Sequence, residues 1–329
     1  MMKLAFRLIN RVYRKLIRIA VRNGDSEALL EAPGELLPES VLHRRSEFPE
    51  ELGASFHSEI SSHSRIWHAH PERSDLPEWA LDNKLNAYKL MAELGVRTPK
   101  VFQRDVKLDD LEFVSGSVLK PEEAFQSRGV FVVGGNNLAY QVASDTPNLS
   151  EQDVRGMANG LLKSGAILKD LWQREEAILG ENGLPAPDVK FYCFYGSCAM
   201  VLIRDIHPGL GLKFQCRGRQ GEILVSKSHK PSDLSYVHVG EEDFAIAEEI
   251  SRSLPTPFLR LDFFQGEELV FGEIGNLVGY FADFGVQVDR LMGAEFAKAR
   301  GRLFDDLRRG KSFPAFDRVL ANQSSGTHQ

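Results

Sequence analysis

The sequence predicts an α+β protein built around antiparallel hairpins, and three observations carry that prediction. Residues 258–276, FLRLDFFQGEELVFGEIGN, read as two apolar strands around a tight turn. Residues 188–204 repeat the pattern, with DVKFYCF and CAMVLIR flanking a turn at Tyr195-Gly196-Ser197. Helical patterns stand apart from both hairpins, in DNKLNAYKLMAEL at 82–94 and in two further stretches between 281 and 309.

The first hairpin carries an acid in each strand. With Gly266-Glu267 as a two-residue loop, Gln265 pairs with Glu268 and Asp262 with Phe271. Glu273 then shares a sheet face with Asp262, on the diagonal. Carboxylates in an apolar sheet need a partner. Two that converge suit a hard cation such as Mg²⁺, with phosphate completing its shell. A second reading pairs Glu273 with Arg260 on the same face as a structural ion pair. Both stand at this point, and a one-residue change of register would put the acids on opposite faces.

At 329 residues and 43% hydrophobic composition, the chain can bury a large core and exceeds one compact domain, so two or three lobes are expected. A net charge of −6 implies no general attraction to nucleic acid. The charge is uneven. Residues 1–23 carry Lys3, Arg7, Arg11, Arg14, Lys15, Arg18 and Arg22 and no acid, with apolar residues at helical spacing between them. Such a basic amphipathic helix suits an anionic inner leaflet, lying in the interface. Packing of the apolar face on the domain, or on a partner protein, is the alternative. Residues 24–51, acidic and rich in Pro and Gly, read as a linker or arm.

No run reaches the length and apolarity of a membrane span. Cys193, Cys198 and Cys216 are an odd set without zinc spacing, which points to a reducing cytoplasm. Cys193 and Cys198 flank the 195–197 turn and are expected to face each other as buried packing, ahead of redox chemistry. His57, His63, His68 and His70 form a loose cluster lacking the usual metal-site companions, so surface or loop roles are favoured.

Helix 82–94, capped by Asp82 and ended by Gly95, leads into a strand at KVFQ. GSVLKP is a strand ending in Lys120, and after a polar loop GVFVVGG is another. A lysine there can hold phosphate as a point charge or simply be solvated. Lys190 is embedded among aromatic residues and calls for an anionic partner, with Arg204 at the far end of its hairpin as a second donor. Residues 172–179 fit a strand or a short helix, and Glu175 and Glu176 are either structural or in touch with a nucleotide.

The ordered set Asp82-Lys84, Lys120, Glu175-Glu176, Lys190, Asp262 and Glu273 resembles the ATP-grasp superfamily. More narrowly, the words DNKLNAYKLMAELGVRTPK, VLKP, PDVKFYCFYG and LRLDFF with LVFGEI look like its TupA-like branch, named for teichuronopeptide biosynthesis and associated with polysaccharide gene clusters. The resemblance covers roughly residues 80–290 and implies an ATP-grasp fold. In it a nucleotide is held between a small lid lobe and a larger lobe with a mixed or antiparallel sheet. It also implies ATP and Mg²⁺ as cofactors, and activation of a carboxylate as an acylphosphate that an amine attacks.

Carried over by position, Lys120 would hold the α/β-phosphates, and Glu176 with Glu175 would sit at the hinge near adenine or ribose. Lys190 would reach the γ-phosphate. Asp262 and Glu273 would bind Mg²⁺, with Asn276 as third ligand. Lys190, Arg204 and Arg260 form the candidate catalytic set, since guanidinium groups pair bidentately with carboxylates; Arg217 and Arg219 are expected to be solvated. Three departures mark this chain. The loop 122–129 holds one glycine, so Arg128 would substitute for backbone donors. Gly275 stands where superfamily members often place Asn. Leu277-Val278-Gly279 replaces the usual Pro-Gly-Gly.

The expected organisation is 1–23 basic helix, 24–51 arm, 52–110 N-terminal lobe, 111–172 lid, 173–315 catalytic lobe and 316–329 polar tail. The resemblance implies a cytoplasmic ligase on the inner membrane face, joining an amine to a uronic-acid group of a surface polysaccharide or its precursor. A cytosolic small-molecule or peptide amide ligase and a non-catalytic nucleotide-binding scaffold are the alternatives, the second favoured by the glycine-poor loop.

Overall fold

A computed structural model describes residues 54–122, 127–180, 184–207, 211–224, 231–276, 278 and 284–324, with Lys15 and Ile19. The expected amphipathic helix, apart from those two residues, and the arm 24–51 lie outside the described residues. Among the described residues, no helix is long and apolar enough to cross a membrane.

Two six-stranded antiparallel sheets organise the chain. The smaller one contains β1 (Val101–Val106), β2 (Ser117–Pro121), β3 (Phe131–Val133), β4 (Ala139–Gln141), β5 (Thr146–Leu149) and β6 (Trp172–Glu176), in the order β1-β6-β2-β3-β4-β5. The larger contains β7 (Asp188–Cys193), β8 (Cys198–His207), β9 (Gly211–Gly218), β10 (Ile223–Leu224), β11 (Leu259–Gln265) and β12 (Leu269–Gly275), in the order β10-β9-β8-β7-β11-β12. The helices are α1 (Phe56–His68), α2 (Pro77–Ala80), α3 (Lys84–Glu93), α4 (Glu151–Lys163), α5 (Glu241–Arg252), α6 (Val286–Arg308) and α7 (Pro314–Ser324).

Each sheet needs a partner for its apolar face, and two separate cores supply them. Leu119, Phe131, Val133 and Trp172 of the small sheet pack with Val154 and Ala158 of α4. The larger sheet shares one core with α1, α2, α3, α5, α6 and α7. Residues 52–110, expected as a lobe of their own, are therefore divided. Phe56, Leu90 and Met91 are fully buried in the large core, while β1 pairs with β6 in the small sheet. Strand β6, placed by sequence in the larger lobe, likewise belongs to the small sheet.

Several local expectations change for physical reasons. Asn83, not Asp82, caps α3, its side chain accepting from the Leu85 and Asn86 amides. Gly95 ends the helix at φ 71°, a left-handed position that suits glycine. Tyr195 and Gly196, at φ 41° and 83°, form a two-residue hairpin loop whose bonds join Phe194 to Ser197. Cys193 and Cys198 pair across it, and all three cysteines are buried thiols outside any disulfide.

Residues 316–329 were expected as a polar tail. Instead α7 runs from Pro314 to Ser324, with Phe316 and Val319 in the large core. Residues 281–309 were expected as two helices broken near Gly293, but α6 runs unbroken through that glycine. The glycine permits a close crossing: a Cβ there would lie 1.5 Å from the Ala54 carbonyl oxygen, just ahead of α1. Gly293→Ala therefore lowers stability by about 1–3 kcal/mol through overpacking. A thermal melt reads this as a drop of several degrees, and an unchanged melting temperature would refute the crossing.

Candidate active site

The β11–β12 hairpin turns through three residues, Gly266-Glu267-Glu268, so Gln265 pairs with Leu269 and Phe263 with Phe271. This register differs by one from the expected pairing of Asp262 with Phe271, and such a slip alone would send the acids to opposite faces. A bulge restores them. Gly272 is the extra residue on β12, and beyond it Asp262 stands directly opposite Glu273 instead of on the diagonal. A Cβ on Gly272 would come within 3.0 Å of the Phe264 ring and 3.3 Å of the Asp262 carbonyl oxygen. Glycine thus lets the bulge close.

Pairing across four strands lines up Leu202, Lys190, Asp262 and Glu273. The neighbouring rows on that face hold Arg204 and Asp188 on one side, and Tyr192, Arg260 and Gly275 on the other. The Lys190 ammonium bonds the Asp262 carboxylate and lies 2.8 Å from Asp188. Arg260 Nε donates to Asp262 Oδ1 at 2.5 Å, and Nη2 donates to Oδ2 at 2.7 Å and to Glu273 Oε1 at 3.3 Å. Arg204 is held more loosely, 3.7 Å from Asp188, with a third of its side chain exposed.

Burial pushes the Asp262 carboxyl up, but Lys190 and Arg260 outweigh it and hold the group below the usual carboxylate range. Burial lowers Lys190, yet Asp188 and Asp262 raise it above its ordinary value. Arg260 is raised in the same way, with Asp262 overcoming burial. Glu273 is raised by burial and by its neighbour Asp262. Its side chain is 46% exposed, so solvent screens part of that rise.

The small sheet supplies the other half. Lys120 lies opposite Gln173, and Val118 opposite Glu175, so Lys120 and Glu175 are diagonal neighbours on one face. Their side chains form a buried ion pair, and Gln173 Nε2 donates to Glu175 at 2.9 Å. The Tyr88 hydroxyl of α3 donates to Glu175 at 3.5 Å. Burial, then the charge of Lys84, lowers the Lys120 ammonium to about 8 against the opposing pull of Glu175. Glu273 of the other sheet also acts on Lys120, and Lys84 acts on Glu273. Tyr88 also packs edge-on against Phe271 of β12, ring centroids 6.1 Å apart, so α3 bridges the two sheets beside both charged clusters.

Lys84 had no assigned role in the sequence, although its place as the first residue of a capped helix was a usable signal. Other expected residues lie elsewhere. Adjacent strand residues face opposite ways, so Glu175 and Glu176 do not share the cleft. Glu176 instead binds Arg97 at 2.7 Å and accepts from the Lys100 amide at 3.1 Å. Arg217 and Arg219, expected to be solvated, are tied into the structure, although Arg219 stays 38% exposed. The first donates to the Leu234 and Val237 carbonyls, and the second pairs with Glu241 and Glu248.

Asn276 is buried, with Nδ2 donating to the Glu78 carbonyl at 2.8 Å. Glu78 itself is held by His63 and Thr256, which accounts for one of the clustered histidines. Arg128 lines a cavity of about 350 Å³ with Gln141, Ser144 and Met157, while residues 123–126 of its loop lie outside the described residues.

Among the described residues, no three His, Cys, Asp or Glu side chains converge as a metal cage. Asp262 and Glu273 are two hard oxygen donors side by side. That set matches Mg²⁺, which takes one or two carboxylates and completes its shell with phosphate and water. Lysines from two sheets facing such a pair can neutralise and position a polyphosphate, which phosphoryl transfer needs more than a protein nucleophile.

The comparisons agree with this geometry at the level of family. The TupA-like ATPgrasp family matches residues 65–297, a span containing Lys84, Lys120, Lys190, Asp262 and Glu273. No curated protein matches the chain in sequence. A D-alanine–D-alanine ligase from Bacillus anthracis complexed with ATP is 12% identical at a TM-score of 0.38, over 70% of this chain and 67% of its own. VanG D-Ala:D-Ser ligase from Enterococcus faecalis is 13% identical at 0.42, over 68% and 61%. The ATP-grasp ligase PsnB, complexed with a phosphomimetic variant of its minimal precursor, Mg and ADP, is 8% identical at 0.39, over 67% and 58%. The chain thus spans 58–67% of the lengths of these proteins, and their activities stay with them. With the family matched over most of its length and two antiparallel sheets enclosing the charged cleft, this α+β chain has the ATP-grasp fold and belongs to the TupA-like ATP-grasp family.

Proposed function

We propose that the protein is an ATP- and Mg²⁺-dependent carboxylate–amine ligase. The observation that supports it best is that α3, through Tyr88, joins the Lys120–Glu175 pair of the small sheet to the sheet carrying Lys190, Asp262 and Glu273. Lys120 and Lys84 hold the phosphates nearer the nucleoside, and Lys190 holds the γ-phosphate. Mg²⁺ on Asp262 and Glu273 would neutralise the charge of the transferring phosphoryl group. The substrate carboxylate attacks the γ-phosphorus and ADP leaves. The amine nitrogen then attacks the acyl carbon, phosphate leaves, and the nitrogen gives up a proton.

Arg204, exposed on the cleft face and loosely paired, is the side chain best placed to take an acidic substrate. A uronic-acid group of a surface polysaccharide or its precursor fits that donor. The basic composition of residues 1–23 fits a precursor presented at an anionic inner membrane surface.

The test incubates the full chain with ATP, Mg²⁺ and panels of sugar uronates and amines. ADP, phosphate and amide are expected in equal amounts from one pair. If no pair stimulates release of ADP, the ligase reading fails. A chain lacking residues 1–23 that still sediments with anionic vesicles removes the membrane part alone.

A further inference from the structure

Arg260 does more than pair with an acid, because the fold makes a berth for its guanidinium. Gly275 lies opposite Arg260 in the β11–β12 register. A Cβ on Gly275 would sit 3.0 Å from Arg260 Cζ and Nη2 and 3.3 Å from Nε. The guanidinium therefore rests against bare backbone, in space that a side chain at 275 would crowd. From that berth it donates to both oxygens of Asp262 and to Glu273 Oε1. Lys190 adds a second cation on Asp262 Oδ2. Asp262 is buried, so its oxygens have little water to fall back on.

A divalent ion drawn to these carboxylates meets the guanidinium on the same oxygens. Mg²⁺ needs them at about 2.0–2.1 Å, and Arg260 and Lys190 already place three hydrogen bonds on the Asp262 oxygens, which offer about four lone-pair sites, so an ion bound there must displace a donor. A phosphate changes the balance. Guanidinium pairs bidentately with phosphate as readily as with carboxylate, so Arg260 can exchange one anion for the other. The freed carboxylate oxygens then turn to the metal. Every charged group keeps a partner throughout, which a buried site requires.

We propose that Arg260, seated on Gly275, is an internal cation occupying the Asp262–Glu273 pair, and that a divalent metal binds there only when nucleotide phosphates draw the guanidinium away. The inference rests on the ATP–metal reading of the cleft. It makes metal and nucleotide reciprocal partners: each raises the affinity for the other by the same factor. Gly275 becomes the residue that sets this coupling.

The experiment is a Mn²⁺ titration of the full chain followed by electron paramagnetic resonance, with and without a non-hydrolysable ATP analogue. Wild type is expected to bind Mn²⁺ at least about tenfold more tightly with the analogue. Arg260→Met removes the internal cation, and Gly275→Ala keeps it but crowds its berth without adding a metal donor. Both are expected to raise affinity for Mn²⁺ alone by about tenfold and to shrink the effect of nucleotide. Wild-type affinity for Mn²⁺ alone in folded samples of both variants overturns the proposal, and Gly275→Ala decides if Arg260→Met does not fold. A wild type that binds no Mn²⁺ even with the analogue removes the metal assignment itself, and the proposal with it.

Discussion

On the proposed reading, Asp262→Asn is expected to abolish ATP-dependent turnover, and it destabilises the protein by about 1.5–3 kcal/mol, the cost of losing charge-assisted hydrogen bonds at a buried site. Lys190 and Arg260 both bond this carboxylate, which is only 3% exposed, while Lys190 keeps Asp188 and Arg260 keeps Glu273. Loss of the proposed metal ligand would add a separate effect, since Lewis-acid charge neutralisation contributes several kcal/mol to such reactions. Glu273→Gln provides the contrast. Its side chain is 46% exposed, so stability falls far less while activity is still lost. Denaturant melts and ADP release on the two variants separate the roles. Equal stability loss in both would refute the central place of Asp262.

The pH dependence has a defined sign. The folded-state value of Asp262 lies below its unfolded value, because Lys190 and Arg260 outweigh burial. Its stabilising contribution is therefore complete above about pH 4, where an unfolded aspartate is ionised, and is lost as pH falls through the folded value. In Asp262→Asn that part of the acid sensitivity disappears.

Lys120→Met lowers kcat/KM for ATP by about 10²–10³-fold, the usual cost of removing one preorganised donor to a developing negative charge. The wild-type pH profile should betray the same residue. Burial and Lys84 bring its ammonium down to about 8 from 10.5, so the free enzyme loses that charge as pH rises through about 8. Since kcat/KM reports the free enzyme, it falls on the alkaline side with a midpoint near that value. Lys120→Arg keeps its charge throughout and moves the fall to higher pH. Identical alkaline limbs in wild type and Lys120→Arg would show that another group controls the profile. Stability runs the other way: burial of the charged lysine costs most below about pH 8, and the cost fades as pH rises toward 10.5.

These effects trace to residues that differ in how plainly they could be read from the chain. Lys120, Lys190, Asp262 and Glu273 were visible because charge inside an apolar alternating strand needs an explanation, and period 2 assigns each to a face. The same period separates Glu175 from Glu176, yet both had been placed near the nucleotide. In the structure Glu175 pairs with Lys120, and Glu176 with Arg97 on the opposite face. Gly293 misled, and Gly272 carried no reading at all. A glycine in sequence signals a break or a turn, whereas here one lets the Ala54 backbone cross a helix and the other closes a bulge. Which use applies depends on the atoms that approach from elsewhere in the chain.

The hairpins and the order of the charged residues are legible in the chain alone, because alternation, turn residues and charge in an apolar strand are local properties. The ATP-grasp pattern entered separately, through the resemblance of its ordered words. Tertiary structure decided how the two halves meet: that β1 and β6 join the small sheet, that α3 brings Lys84 between the sheets, and that Arg260 rests on Gly275 over both acids. Those relations join residues as far apart in sequence as Lys84 and Glu273. They arise when each apolar face finds its cover, and only then do the charges left in the cleft acquire their partners.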